Sequence, residues 1–188
     1  MESLKVKATG IAPLIMHNNQ CVDPRNYYAK LIKEISSKRA KTEADLDRLA
    51  ELEFFAGLYL YNDAVVLPTR MLLAAFISGA KKIKAGPVAK AGCFFSNHAT
   101  LEYEGSKVIE ELWKDSTHVL TSVVKIGTAS VLRTRPIFET WSVDIEMLYD
   151  PEIINKQTVM TAWDKAGQLC GFGDWRPQFG RFAVEMVK

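Results

Sequence analysis

The stretch GFGDWRPQFGRF at 171–182 gathers groups that could hold an anion and a planar ring together. Gly171, Gly173 and Gly180 allow positive φ and a close approach of main-chain N–H groups to a ligand, where they can form an anion-binding concavity. Arg176 and Arg181 can meet phosphates, and Trp175 or Phe179 can stack on a base. A plainer use of the same residues is to stop the preceding helix at Gly171 and to cover the edge of the core with Trp175. Both uses are expected of one loop. A second chemical candidate is His17, in the polar turn HNNQ. Its ordinary pKa suits proton transfer near neutrality, with Tyr27, Tyr28 or Lys30 as assistants.

Charge is segregated along the chain although its formal sum is only +2. No acidic residue lies between Asp63 and Glu102, a span that holds Arg70, Lys81, Lys82, Lys84 and Lys90. A second acid-free span, between Asp115 and Glu139, holds Lys125, Arg133 and Arg135. In VLRTRP the two arginines are two positions apart, so a strand puts them on one face. Lysines at the end of a helix complement its dipole, which accounts for Lys81, Lys82 and Lys84 singly. Two such spans with aromatic residues nearby also suit backbone neutralisation and base stacking.

Other chemistries lack their residues. There is no phosphate-loop motif, no G-x-S-x-G elbow and no H-E-x-x-H helix. Gly171-Phe172-Gly173 follows a helix pattern instead of a strand, and Arg176 stands where a dinucleotide fingerprint needs its third glycine. His17, His98 and His118 are far apart, and Cys21, Cys93 and Cys170 show no C-x-x-C spacing, so neither a metal site nor a disulfide scaffold is expected. No cofactor is expected. Charges interrupt MESLKVKATG, and no apolar run reaches membrane-spanning length. These features point to a soluble protein of a reducing cytoplasm, with no membrane partner.

The elements that must position these groups alternate in type. LKVKATGIAPLIM (4–16) reads as a strand ending near Pro13. Asp23-Pro24 reads as a helix start, the helix running to about residue 37. Thr42 and Asp45 form a weak capping box for a second helix. VVLPT (65–69) is a strand leading into a third helix capped by Thr69, with Met71, Leu72, Ala75, Phe76, Ala80 and Ile83 as its apolar stripe. After Gly86-Pro87 the sequence turns β-rich, through CFFSNHATLEYEG, HVLTSVVKIG, ASVLRTRPIF and TWSVDIEMLYD. A last helix follows an Asn155 cap, with Val159, Met160, Trp163, Ala166 and Leu169 on its apolar face. After the glycine loop, Phe182, Val184 and Met186 alternate inward. The pattern is an antiparallel α+β fold.

A helix, a glycine-rich loop ending in Gly-Arg-Phe and a following strand resemble the ending of the RAMP superfamily, the RNA-binding proteins of CRISPR systems. The matching residues are Gly171, Gly173, Gly180, Arg176, Arg181 and Phe182. That resemblance implies a ferredoxin-like (RRM/RAMP-like) core, nucleic acid along the loop and the sheet face, and head-to-tail self-assembly into a homo-oligomer or filament. In such a core, 1–188 is one domain with a helical insertion around 24–60 and a β-rich insertion around 92–138. IAPLIMHNNQ…DPRN, LRTRPIFETWS and GFGDWRPQFGRF also resemble a family of uncharacterised phage and prophage proteins, which implies the cytoplasm of a bacterial host.

The expected function is non-catalytic binding of single-stranded RNA or DNA. Its site is Lys81, Lys82, Lys84, Lys125, Arg133, Arg135, Gly171, Gly173, Trp175, Arg176, Phe179, Gly180 and Arg181. One alternative is a metal-independent ribonuclease using His17, at a position where related RNA-processing enzymes can carry a general base. Another is a protein-interaction module that imitates or inhibits a CRISPR effector subunit.

Overall fold

The computed structural model describes residues 1–187, an α+β fold. In chain order, β1 (Glu2–Gly10) and β2 (Leu14–Ile15) precede a 3-10 turn at Asn19–Val22. The helices α1 (Tyr27–Ser36) and α2 (Glu43–Gly57) follow, then β3 (Leu60–Tyr61) and β4 (Ala64–Leu67). Next come α3 (Thr69–Lys82), α4 (Gly86–Gly92), β5 (Cys93–Phe94), β6 (Ala99–Tyr103) and α5 (Ile109–Leu112). A 3-10 turn at Ser116–His118 leads to β7 (Val119–Ile126), β8 (Ala129–Phe138), β9 (Trp141–Tyr149), α6 (Lys156–Leu169) and β10 (Phe182–Met186). Among the described residues no helix is long and apolar enough to cross a membrane.

Capping decides where the helices begin. The box at Thr42 is complete: Thr42 Oγ1 accepts from the Asp45 N–H at 3.2 Å, and Asp45 Oδ2 accepts from the Thr42 N–H at 3.0 Å. Asn155 caps α6 through Oδ1, which accepts from the Thr158 N–H at 2.9 Å. Elsewhere the local reading is corrected. Helix α1 starts not at Asp23-Pro24 but after Asn26, whose Oδ1 accepts from Tyr28 and Ala29. The Asp23 carboxylate is already occupied by the backbone N–H and guanidinium of Arg25, a local turn that competes with capping. Thr69 is the first residue of α3 and not its cap; its N–H donates to Nδ1 of His98 at 3.1 Å, so a distant imidazole does the capping. Gly86-Pro87 opens α4 instead of ending helical structure, with proline in the first turn where its missing N–H costs nothing. CFFSNHATLEYEG holds two short strands, β5 and β6, where one was expected.

The chain folds as two compact units. The first comprises Met1–Ile15, Leu60–Glu104 and Phe138–Lys188, with Lys188 outside the described residues. Its sheet has the order β10-β1-β9-β6-β4-β3, with β5 also on β9, and its paired strands are antiparallel. Within it, β1, α3, β6, β9, α6 and β10 follow one another in the order β-α-β-β-α-β, and their strands lie as β10-β1-β9-β6, an arrangement compatible with a ferredoxin-like core. Leu4, Val6 and Ala8 of β1 and Trp141, Val143, Ile145, Met147 and Tyr149 of β9 are buried. They are the period-2 stripes of strands with one buried face.

Helices α3 and α6 pack together in this unit. A Cβ on Gly79 of α3 would collide with the Ala162 carbonyl and the Ala166 backbone of α6, so the two helices touch main chain to main chain. A Cβ on Gly167 would meet the Phe182 carbonyl of β10 in the same way. Trp163 is fully buried beside Phe76 and Phe172, and Phe172 stacks on Phe182 with ring centroids 4.3 Å apart. The inward alternation expected of β10 holds only at its start. Phe182 is buried, whereas Met186 is exposed, as is Leu169 at the end of α6. On the other face of the sheet Lys7 stands opposite Glu185 and Asp144, and Lys5 opposite Glu146. Acids outnumber the two lysines on that face, and these positions offer no ring for base stacking.

The second unit comprises Met16–Tyr59 and Gly105–Ile137, which overlap the spans read as insertions. It holds α1, α2 and the β7–β8 hairpin, which pairs from Val119↔Pro136 to Ile126↔Ala129 and turns at Gly127 with φ 61°. Phe54 packs against Phe55 and Trp113. Gln20 and Asn18 donate to the carbonyls of Ala56 and Leu58, and Tyr59 Oη donates to the His17 carbonyl at 2.8 Å. Helix α2 is thereby tied to the segment that leads into α1.

The capping box has a pH signature. Hydrogen bonds from Lys38 and from the Thr42 backbone hold the Asp45 carboxyl at about 2, below its ordinary 3.8. A depressed folded-state pKa adds stability that is present above 3.8 and lost as pH falls through about 2. Carboxyl-resolved NMR should find Asp45 titrating near 2, with amide protection in the first turn of α2 falling over the same window. Thr42→Ala should cost about 1 kcal/mol in chemical denaturation.

Candidate nucleic-acid interface

Helix α3 ends in Lys81 and Lys82, and α6 ends at Leu169 with Gly171 just beyond. Gly171 takes φ 76°, and its N–H donates to the Ala166 carbonyl at 2.8 Å, a left-handed helix stop. Because α3 and α6 touch at Gly79, the end of α3 and the loop after α6 share an open cleft of about 730 Å³. Its walls include Ser78, Lys81 and Lys82 from α3 and Cys170, Asp174, Trp175 and Arg176 from the loop. Three cations, one carboxylate and an indole therefore line one cleft.

The loop is built mainly by packing against its own unit. The N–H groups of Phe172, Asp174 and Gly180 donate to the carbonyls of Gly180, Ile15 and Pro13 at 2.7–2.8 Å. The Phe179 N–H donates to Trp175 O, and the Trp175 N–H to Asp174 Oδ1. A Cβ on Gly173 would run into the Ile15 carbonyl, and one on Gly180 into the Phe172 carbonyl. Close chain-to-chain approach thus accounts for both glycines, and these amides point into the protein. What the loop presents outward is side chains.

Trp175 is the unusual member. It is half-buried and has φ 53°, a left-handed backbone that costs a non-glycine residue on the order of 1–2 kcal/mol. Its ring meets Phe179 edge to face, with centroids 5.8 Å apart, and the next residue, Arg176, is exposed. The Cys170 thiol is pushed up from 9.0 by burial, while Lys82 and Arg176 pull it down, which places both cations within electrostatic reach of it.

The structure brings together Lys81, Lys82, Gly173, Trp175 and Arg176, with Phe179 behind the indole. Lys84 lies just past α3 in a left-handed turn and does not line the cleft. Neither does Arg181, whose carbonyl accepts from the N–H groups of Ile11 and Ala12. Lys125, Arg133 and Arg135 belong to the second unit. There Lys125 is exposed near the hairpin tip, while Arg133 forms a 2.8 Å ion pair with Glu53, a partner that no local pattern announces. Ser78 and Cys170 are cleft residues that the charge pattern passes over. Ser78 could have been found from its helical spacing to Lys81 and Lys82. His17 is exposed and lines a separate pocket in the second unit. Among the described residues no group of three or more His, Cys, Asp or Glu could hold a metal ion.

Two glycines with similar backbones separate crowding from conformation. Gly180→Ala forces a methyl onto the Phe172 carbonyl and should cost about 3 kcal/mol or more. Gly127→Ala, at φ 61° with open space around it, should cost only about 1 kcal/mol. Equal losses in urea denaturation would show that close packing of the loop is not what requires Gly180. No protein-family model matches the chain, and no curated protein matches it in sequence.

Proposed function

We propose that this protein binds single-stranded nucleic acid without cutting it, through the cleft between the end of α3 and the loop after α6. The observation that carries this reading is the convergence of Lys81, Lys82 and Arg176 around Trp175, from parts of the chain about ninety residues apart. Phosphates of a strand can pair with the three cations. The indole offers a flat apolar face to an unpaired base, a contact that a duplex with stacked bases does not provide. An open cleft suits a flexible strand better than an enclosed small molecule.

The reading extends to a RAMP-like protein of phage origin. The strand order β10-β1-β9-β6 and the succession α6, glycine loop, β10 support the RAMP-like part of it. The net-acidic sheet face favours the cleft over the sheet as the path of the strand. Asp174, in the cleft lining, disfavours a ligand that is anionic all round and favours one that alternates phosphate with base. A ribonuclease reading keeps one observation in its favour, the presence of Arg133 and Arg135 in the pocket that His17 lines.

The test is fluorescence anisotropy with labelled single-stranded RNA, single-stranded DNA and duplex DNA over a range of salt, followed by a denaturing gel. Salt-sensitive binding of intact single strands is expected. Lys81→Ala/Lys82→Ala/Arg176→Ala should lower the slope of log K against log salt by about 2. Trp175→Ala should weaken binding by about 1–3 kcal/mol. Unchanged affinity in both variants would remove the cleft from the interface. RNA cut by the wild type but not by His17→Ala would replace binding with catalysis. No binding to any strand would leave a protein partner as the reading.

A further inference from the structure

The second unit contains a pocket of about 180 Å³ that the cleft does not involve. It is lined by Ile32 from α1, by Glu53 and Ala56 three residues apart on α2, by Arg133 and Arg135 from β8, and by His17 and Asn18 from the segment before α1. At roughly 30 Å³ per water molecule it has room for about six waters, which is the scale of one flat heterocycle and not of a whole nucleotide.

The carboxylate in this pocket is held in place. Glu53 has a side chain only 10% exposed; its Oε1 accepts from Arg133 Nη1 at 2.8 Å and its Oε2 from the Thr134 N–H at 2.8 Å. A carboxylate offers about four acceptor positions, so these bonds fix its orientation and leave capacity on both oxygens. Burial raises the Glu53 pKa, against the pull of the Thr134 N–H and the two arginines. Any ligand here faces an acceptor-only carboxylate beside donor-only guanidinium groups. A bare phosphate would be repelled by Glu53, and a cation by the arginines. The complementary ligand is planar and carries donors and acceptors side by side on one edge.

We infer that this pocket binds a guanine base. Its N1–H and N2–H donate to the Glu53 carboxylate, its O6 and N7 accept from an arginine, and its ring faces lie against Ile32 and Ala56. Adenine would turn the N1 lone pair toward the carboxylate, and pyrimidines are too short to reach both sets of partners. The base can come from a bound strand, which rests on the function proposed above, or from a free nucleotide, which does not.

Calorimetric titration with guanosine, adenosine, cytidine, uridine and inosine monophosphates tests the pocket by itself, and inorganic phosphate serves as control. Guanosine monophosphate should bind roughly 5- to 150-fold more tightly than adenosine monophosphate, with inosine monophosphate in between because it lacks the N2 amine. A uridine oligomer with one central guanosine should bind more tightly than the all-uridine oligomer if the base comes from a strand. Glu53→Gln should abolish the preference. Should that variant fail to fold, Ala56→Leu narrows the pocket without altering a charged residue and should remove guanosine monophosphate binding, with the melting transition retained. Equal binding of all nucleotides, or of phosphate alone, overturns the inference. So does the absence of nucleotide binding together with equal affinity for the two oligomers, a result that leaves strand binding by the cleft intact. Guanosine monophosphate binding without binding of any strand supports the pocket and defeats the strand reading.

Discussion

The contact on which most of the first unit depends is the main-chain approach of α3 to α6 at Gly79. No side chain separates the helices there, because a single methyl would meet the Ala162 carbonyl and the backbone of Ala166. Gly167 repeats the device one layer on, against Phe182 of β10. These two positions set the depth at which Trp163, Phe172 and Phe182 interdigitate, and close-packed interiors respond to changes as small as one methylene. The same approach delivers Lys81 and Lys82 to the loop that carries Trp175 and Arg176. Two small residues buried in the core thus fix the spacing of charges on the surface.

The two basic regions differ in kind. In the cleft, Lys81, Lys82 and Arg176 stand in an open depression, where salt screens them and their attraction is long-ranged and weakly directional. In the second unit, Arg133 is tied to a nearly buried carboxylate, and little of its charge is left to act at a distance. A charge of that sort contributes geometry instead of a field. The sequence shows both as basic residues in acid-free spans, and only the position of Glu53 separates their roles.

What could be read from the chain is what is decided locally. The Thr42–Asp45 box, the Asn155 cap, the stop at Gly171 and the alternation of β9 each depend on residues within a few positions of one another, and each appears in the structure. The misread starts have one cause, which is competition. Asp23 is taken by Arg25, Thr69 is capped by His98 from 29 residues away, and Pro87 opens a helix because α4 has a place to pack. The antiparallel α+β class was legible from strand and helix periods, but the strand order was not, because pairing partners are selected across the whole chain. For the site, the charged and aromatic residues were visible while their grouping was not. Lys81 shares a cleft with Arg176 only after α3 has docked on α6, and Arg133 finds its carboxylate partner only once α2 is in place.

The central position of β1 has a consequence for how the chain is made. Its two neighbours in the sheet are β9, beginning at Trp141, and β10, beginning at Phe182. At about 5–20 residues per second, a ribosome takes on the order of 10 s to supply the first of them. Through that interval the stripe Leu4, Val6 and Ala8 has no sheet to join, and its backbone edge is open on both sides. Until β9 emerges, the nascent chain therefore presents an unpaired strand with an apolar stripe, a natural substrate for chaperones that bind extended apolar segments. It also follows that this sheet closes late, by the return of distant strands, and not by growth outward from β1.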